Sequence, residues 1–250
     1  MKKYYLIDPE LYDKQFWWKT DDLEFWKNQL TSKKNKTILE LAAGTGRIAS
    51  ALMRENILYS GLELSGKYVQ YANEKLKNIY GKSDIIQGDM IDFKLNKYYD
   101  YIFIGFNSFL HILKETDALK CLKSIKKHMK ASSTLYIDLF VPHPLFLYRP
   151  NNAQLNILNF QDIKTKEIVE VFETLEYNSD TEIASVIWSY YCENKQIYQD
   201  FPFQMKMYYP DTMHKIIGQS GLSIVNVWGS YEKDTFNESS NLQIYKCIIK

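Results

Sequence analysis

From Leu23 to about Pro144 the chain alternates short apolar runs with amphipathic stretches. The runs are Thr37–Leu41, Tyr59–Leu64, Asp84–Gln87, Tyr99–Phe106 and Thr134–Val141. Between them, Lys67–Ile79 and Asp117–Met129 place apolar residues three and four positions apart, the spacing of one helix face. Strand–helix alternation of this kind predicts a parallel sheet covered on both faces.

After Pro150 the period shortens. Leu155–Ile163, Glu167–Tyr177, Glu182–Cys192 and Gln196–Tyr208 read as consecutive strands. Alternation is visible at Ile168, Glu170, Phe172 and Thr174, and the turns Asn178-Ser179-Asp180 and Glu193-Asn194-Lys195 are short and polar. Neighbouring strands with tight turns predict an antiparallel sheet. Pro210 then opens a helix through Gln219 that stops at Gly221, and strands at Leu222–Trp228 and Leu242–Ile249 follow. The fold class is α/β, with an antiparallel sheet inserted before the last helix and strands.

A length of 250 residues suits one domain, or one domain carrying a substantial insertion or cap. Lys plus Arg number 31 and Asp plus Glu 30, so no net field directs the protein to nucleic acid or an anionic membrane. The N-terminal MKKYYLIDPELYDKQ lacks the apolar core of a signal peptide, and no apolar run approaches a membrane span. A soluble, cytoplasmic protein is expected. Cys121, Cys192 and Cys247 are odd in number and far apart, which points to three reduced thiols and to no metal site. The 20 tyrosines against 10 glycines add an aromatic excess that serves cores and small-ligand pockets alike.

Ligand chemistry is read first in ILELAAGTGRIASAL, Ile38–Leu52, where a strand ends at Glu40 and a helix begins near Arg47. Gly44 and Gly46 let the backbone between them turn sharply and approach a ligand. Gly44-Thr45-Gly46-Arg47-Ile48-Ala49 also fits a dinucleotide fingerprint, with Glu63 at the distance of its ribose acid. Ligand charge separates the alternatives. A dinucleotide brings an anionic pyrophosphate, which Glu40 would repel; S-adenosylmethionine brings a sulfonium, an ammonium and one carboxylate. Glu63, in GLELS, can accept both ribose hydroxyls. Asp89, in GDM, can accept from the adenine amino group while Met90 covers the ring. These three acids follow three successive strands and converge where ligands bind in open α/β sheets.

ILELAAGTGR, GLELS, QGDM and FNSFLHI, in this order and spacing, resemble the motifs of class I S-adenosylmethionine-dependent methyltransferases. More narrowly they resemble a bacterial branch similar to glycine N-methyltransferase and to sugar N,N-dimethyltransferases. The resemblance covers almost the whole chain. It implies a Rossmann-like seven-stranded methyltransferase core over 31–150 and 209–250, a helical N-terminal lid over 1–30, and an inserted antiparallel β cap for substrate over 151–208. It implies S-adenosyl-L-methionine as cofactor, leaving as S-adenosyl-L-homocysteine. Ala42 stands where many members have the first glycine of the loop, as in the glycine N-methyltransferase group. Lys19 matches a basic lid residue that pairs with the cofactor carboxylate. Tyr12 is the expected lid contact, with Phe16, Trp17 and Trp18 as further aromatic faces for a sulfonium. Leu64 and Phe106 complete the expected cofactor neighbours.

Phe106–His111 follows the fourth strand, a loop that the family places beside the transferred methyl group. Asn107 is expected to orient an acceptor amine or carbonyl; His111, whose ordinary pKa suits proton transfer near neutrality, is a candidate general base or else a cap or anchor of the loop. An amine arriving neutral needs no base, since alignment alone supplies much of the acceleration. His128, His143 and His214 are weaker candidates. Glycine N-methyltransferases carry an arginine shortly after the Ile-Asp pair; here Ile137-Asp138 leads into Leu139-Phe140-Val141, so glycine fits poorly. Arg149 is the nearest alternative. Trp188 and Tyr190 should share one face of the cap opposite Tyr191, and one of these faces should roof the acceptor.

The expected activity is methyl transfer to nitrogen or oxygen of a small-molecule acceptor, without nucleic-acid or membrane partners and with a homodimer as a candidate assembly. Two other classes compete: a catalytically silent cofactor-binding module, and a nicotinamide-dependent oxidoreductase, against which Glu40 argues.

Overall fold

The computed structural model describes residues 7–31, 35–55, 57–150, 153–162 and 165–250. Residues 1–6 of the expected lid and Ile163, at the end of the first inserted strand, lie outside the described residues. In chain order the helices are α1 (Pro9–Gln15), α2 (Leu23–Leu30), α3 (Arg47–Leu52), α4 (Gly66–Tyr80), α5 (Glu115–Lys126), α6 (Pro144–Leu147) and α7 (Pro210–Gln219). The strands are β1 (Thr37–Leu41), β2 (Leu58–Glu63), β3 (Ile85–Gln87), β4 (Tyr99–Ile104), β5 (Met129–Phe140) and β6 (Leu155–Gln161). They continue with β7 (Ile168–Asn178), β8 (Ile183–Cys192), β9 (Lys195–Gln196), β10 (Phe201–Lys206), β11 (Leu222–Trp228) and β12 (Leu242–Ile249). The chain divides into two compact units: Thr20–Val141 with Tyr208–Lys250, and the segment up to Lys19 with Pro142–Met207. The stretch read as one helical lid is therefore shared, α1 going to the smaller unit and α2 to the larger.

In the larger unit one sheet of seven strands runs in the order β11-β12-β5-β4-β1-β2-β3. Strands β1 to β5 pair in parallel, while β12 pairs antiparallel with β5 and β11 with β12. Ile38, Leu39, Leu41, Ile102, Phe103 and Ile104 are wholly buried, as strands covered on both faces require. On one face Trp26 and Leu30 of α2, Ile48 and Leu52 of α3, and Ala72 and Leu76 of α4 meet Ile38, Phe103 and Tyr136.

Two element limits differ from expectation. Helix α5 stops at Lys126, and Met129 is already the first residue of β5, paired with Tyr99. His128 makes the turn: its Nδ1 bonds the Ser124 carbonyl at 2.8 Å and its Nε2 accepts from the Leu95 amide at 2.8 Å. The expected strand Gln196–Tyr208 is broken into β9 and β10. Both pieces pair with β8, but the register slips between them, and Asp200 in the gap accepts from Ser189 and Gln196 side chains. Pro202 is tolerated because β10 is an edge strand.

The smaller unit is an antiparallel sheet, β10-β8-β7-β6, with β9 also on β8. Ile7 and, on α1, Leu11 pack on Phe160, Val169, Val171, Tyr190 and Phe201. Gln15 accepts from the Tyr190 hydroxyl at 2.8 Å, and Lys14 pairs with Asp162 at 2.9 Å. Pairing of Glu173 with Trp188, Val171 with Tyr190 and Glu170 with Tyr191 puts Trp188 and Tyr190 on one face and Tyr191 on the other. Glu173 is buried and doubly held, by Arg149 at 2.7 Å and by the Trp188 indole at 2.9 Å. Arg149 is thus committed to a carboxylate of its own chain.

The chain leaves the larger unit after Val141 and re-enters at Tyr208, and one side chain secures both points. Gln243, fully buried, donates to the Phe140 carbonyl at 3.2 Å and to the Tyr208 carbonyl at 2.7 Å. Its own oxygen accepts from Tyr245, and the Tyr208 hydroxyl donates to the Ile112 carbonyl at 2.6 Å.

Candidate functional site

The loop between β1 and α3 supplies the centre of the site. Ala42, Gly44 and Gly46 all have positive φ, at 56°, 56° and 76°. At Gly44 a Cβ would meet nothing within 4 Å, so the backbone there borders open space. At Gly46 a Cβ would press on Leu76 at 3.2 Å, so that glycine serves packing against α4. The two glycines therefore do different work. Ala42 adopts the left-handed conformation with a side chain, a strain of the kind that collects at functional sites.

Glu63 ends β2 and is 8% exposed. One oxygen accepts from the Gly44 amide at 2.9 Å and the other from the Ser65 amide at 2.8 Å. Burial pushes its carboxyl up from the ordinary range, and the amides of Ser65, Gly44 and Leu64 pull it back. Three amides on two oxygens do not exhaust the lone pairs of the carboxylate. Glu63 thus ties two strand-end loops together and still has acceptor capacity. Glu40 lies on β1, 3% exposed, and accepts from the Tyr59 hydroxyl at 2.6 Å. Burial pushes it up to about 8, against the pull of Tyr59 and of the Arg47 charge. Tyr59 reaches Glu40 because Gly61 has no side chain: a Cβ there would stand 2.9 Å from the tyrosine oxygen.

After β3, Gly88 donates to the Glu63 carbonyl at 2.9 Å, which seats the GDM turn beside GLELS. Asp89 is exposed and accepts from the Ile91 amide at 2.9 Å; Met90 and Leu64 are half-buried. After β4, Phe106 and Asn107 have φ of 54° and 61°, two successive left-handed residues. The Asn107 side-chain oxygen accepts from the Phe140 amide at 2.7 Å, and its own amide donates to Asp138 at 3.3 Å. Its side-chain oxygen and backbone amide thus fix the turn, while its side-chain nitrogen, Nδ2, has no bond among the described residues. His111 ends the short 3₁₀ turn Ser108–His111 and is half-buried. Tyr12 and Lys19 belong to the smaller unit, where Tyr12 packs on Phe16 at 4.7 Å between ring centroids and Lys19 is buried.

Several functional neighbours escaped the sequence reading. Asp22, wholly buried, holds Arg47 through two bonds of 2.7 Å, and the guanidinium stands 5.2 Å from the Phe106 ring centre. Asp138 takes the Tyr231 hydroxyl at 2.6 Å, and Tyr59 serves Glu40. Only the conspicuous Arg47 at the start of α3 gave any signal. Among the described residues no group of His, Cys, Asp or Glu is placed to hold a metal ion, and no helix is long and apolar enough to cross a membrane.

Residues 38–132, from β1 into β5, match the model of a family described as a methyltransferase domain. This stretch is similar to that family over 95 of the 250 residues. A methyltransferase of Geobacillus sp. is 22% identical over 156 residues, 62% of this chain and 54% of that protein, so the chain spans about half the length of the curated relative it matches. Among solved structures, an S-adenosylmethionine-dependent methyltransferase from Clostridium acetobutylicum superposes with a TM-score of 0.79 at 18% identity, covering 96% of each chain. The sugar N-methyltransferase KedS8 from Streptoalloteichus sp. gives 0.72 at 14% identity, covering 100% of this chain and 97% of its own. The shared fold is the Rossmann-like one of S-adenosylmethionine-dependent methyltransferases, with a separate antiparallel sheet.

The residues at these strand ends fit S-adenosylmethionine. Open space at Gly44 admits a ligand against the backbone. Glu63 and Asp89 offer acceptors to hydroxyls and an amino group, and the Arg47 guanidinium at the start of α3 is held by Asp22.

Proposed function

We propose that the protein transfers a methyl group from S-adenosylmethionine to a nitrogen or oxygen of a small-molecule acceptor. The observation that carries this reading is the joining of the β1 and β2 loops by Glu63, beside the open face of Gly44. Glu63 takes the ribose hydroxyls, Asp89 the adenine amino group, and Met90 and Leu64 cover the ring. When bound, the cofactor supplies an activated methyl on a sulfonium. Asn107 presents its amide nitrogen to the acceptor while its oxygen keeps the turn in place, and His111 takes the proton that an ionising acceptor gives up. Attack along the line of the breaking bond makes positioning the main catalytic demand. Arg149 is held by Glu173, which argues against a carboxylate anchor there and favours an acceptor such as an amine, an amino sugar or a phenol.

Calorimetry with S-adenosylhomocysteine, followed by a labelled-methyl screen of amines, amino sugars, phenols and carboxylates, tests the reading. Binding of the cofactor product and label transfer to one of these classes are expected. Tight NAD binding without S-adenosylhomocysteine binding would overturn it. Cofactor binding with no transfer to any acceptor would favour a silent regulatory module.

A further inference from the structure

Glu40 is a carboxyl group almost without water and with no ion pair among the described residues. It is 3% exposed, and its hydrogen-bond partner among the described residues is a neutral hydroxyl, that of Tyr59 on β2. The positive charge that acts on it is that of Arg47 on α3, whose two terminal nitrogens are both engaged by Asp22 at 2.7 Å. Two further acids, Asp22 ahead of α2 and Glu63 on β2, act on Glu40 with charge of the same sign. A buried carboxylate in such surroundings lacks the pairing that makes ionisation tolerable. The loop that follows Glu40 borders the space at Gly44.

We infer that Glu40 is carried as the neutral acid in the free protein and gives up its proton to solvent when the cationic end of the cofactor enters, so that cofactor binding releases a proton. This rests on the reading of S-adenosylmethionine as cofactor. The balance is simple: the O–H bond of the Glu40 carboxyl breaks, the proton passes to buffer, and the charge that remains faces a cation that was absent before. The inference alters what Glu40 selects. A fixed negative charge would repel any anion from the start, whereas a neutral acid admits the ligand first and rewards only one that brings positive charge. Burial, which pushes the Glu40 carboxyl up to about 8, agrees with the geometry.

The test is titration calorimetry of the whole chain with S-adenosylmethionine at pH 6.5, in buffers of different ionisation enthalpy. Release of close to one proton per site is expected, with affinity rising up to tenfold per pH unit between pH 6 and 7.5. Glu40→Gln, which mimics the neutral acid and so retains the free fold, should abolish both the proton release and the pH slope. Tyr59→Phe removes the hydroxyl that favours the carboxylate, and should move the pH dependence to higher pH. A uniform loss of affinity at every pH in that variant would mark Tyr59 as structural only and overturn its part. Binding without proton release in the wild-type protein would overturn the inference while leaving the cofactor assignment intact. No binding at all would overturn both.

Discussion

At the scale of single residues, the acids at the strand ends are unequal. Glu63 joins two loops through the Gly44 and Ser65 amides, whereas Asp89 is exposed and bonded within its own turn. Hydrogen bonds to a charged group contribute about 1.5–3 kcal/mol each. Glu63→Ala should therefore weaken S-adenosylhomocysteine binding roughly hundredfold. Asp89→Ala should weaken it only several-fold, both read by calorimetry; equal effects would refute this ranking. Glu63 and Asp89 were legible because an acid directly after an apolar run is a local pattern. Tyr59 and Tyr231 were not legible, because their partners lie far away along the chain. Nothing near Tyr231 in sequence marks Asp138, 93 residues earlier, as its acceptor. The place of Glu40 on the first strand was legible, but the Asp22–Arg47 pair and the Tyr59 hydroxyl around it were not.

At the scale of elements, the glycine loop divides into a half for the ligand and a half for the fold. Gly44→Ala meets no atom and should cost stability only through its positive φ, about 1–2 kcal/mol, while placing a methyl where the cofactor approaches. Gly46→Ala carries the same strain and also pushes on Leu76, which α4 buries in the core. Thermal melts should rank Gly46→Ala as the less stable of the two, and calorimetry should rank Gly44→Ala as the weaker binder; the opposite order would contradict this division. The sequence pattern marked both glycines alike, because a fingerprint records a missing Cβ and not what surrounds it. The same limit explains the end of α5. Apolar periodicity runs on through Met129, but His128 bonds two backbone groups and turns the chain into β5. In the inserted sheet, alternation read through Gln196–Tyr208 without showing the break at Asp200, since a slip in register changes pairing and leaves the period intact.

At the scale of the whole molecule, an acid such as Asp100 couples strand edges to pH. Partial burial pushes its carboxyl up, but the Thr37 amide and hydroxyl, Lys36 and Lys130 hold it well below the usual range. A depressed carboxyl stabilises the fold above its unfolded value near 3.8 and loses that contribution as pH falls through the folded value. Asp100→Asn should thus lower stability at pH 7 by about 1 kcal/mol and make the melting temperature less sensitive to acid below pH 4. An unchanged acid limb would remove Asp100 from the account. The α/β alternation and the change of period after Pro150 were visible at this scale, whereas the split of the N-terminal helices was not: Leu11 of α1 joins the core of the inserted sheet and Trp26 of α2 that of the larger sheet, which no local pattern states. The clamp at Gln243 has an evolutionary meaning. Because one amide already holds the outgoing and returning strands of the backbone together, the entropy of closing the 142–207 excursion is borne by the core itself. A lineage could then lengthen, trim or exchange that excursion without disturbing the seven-stranded sheet that carries it.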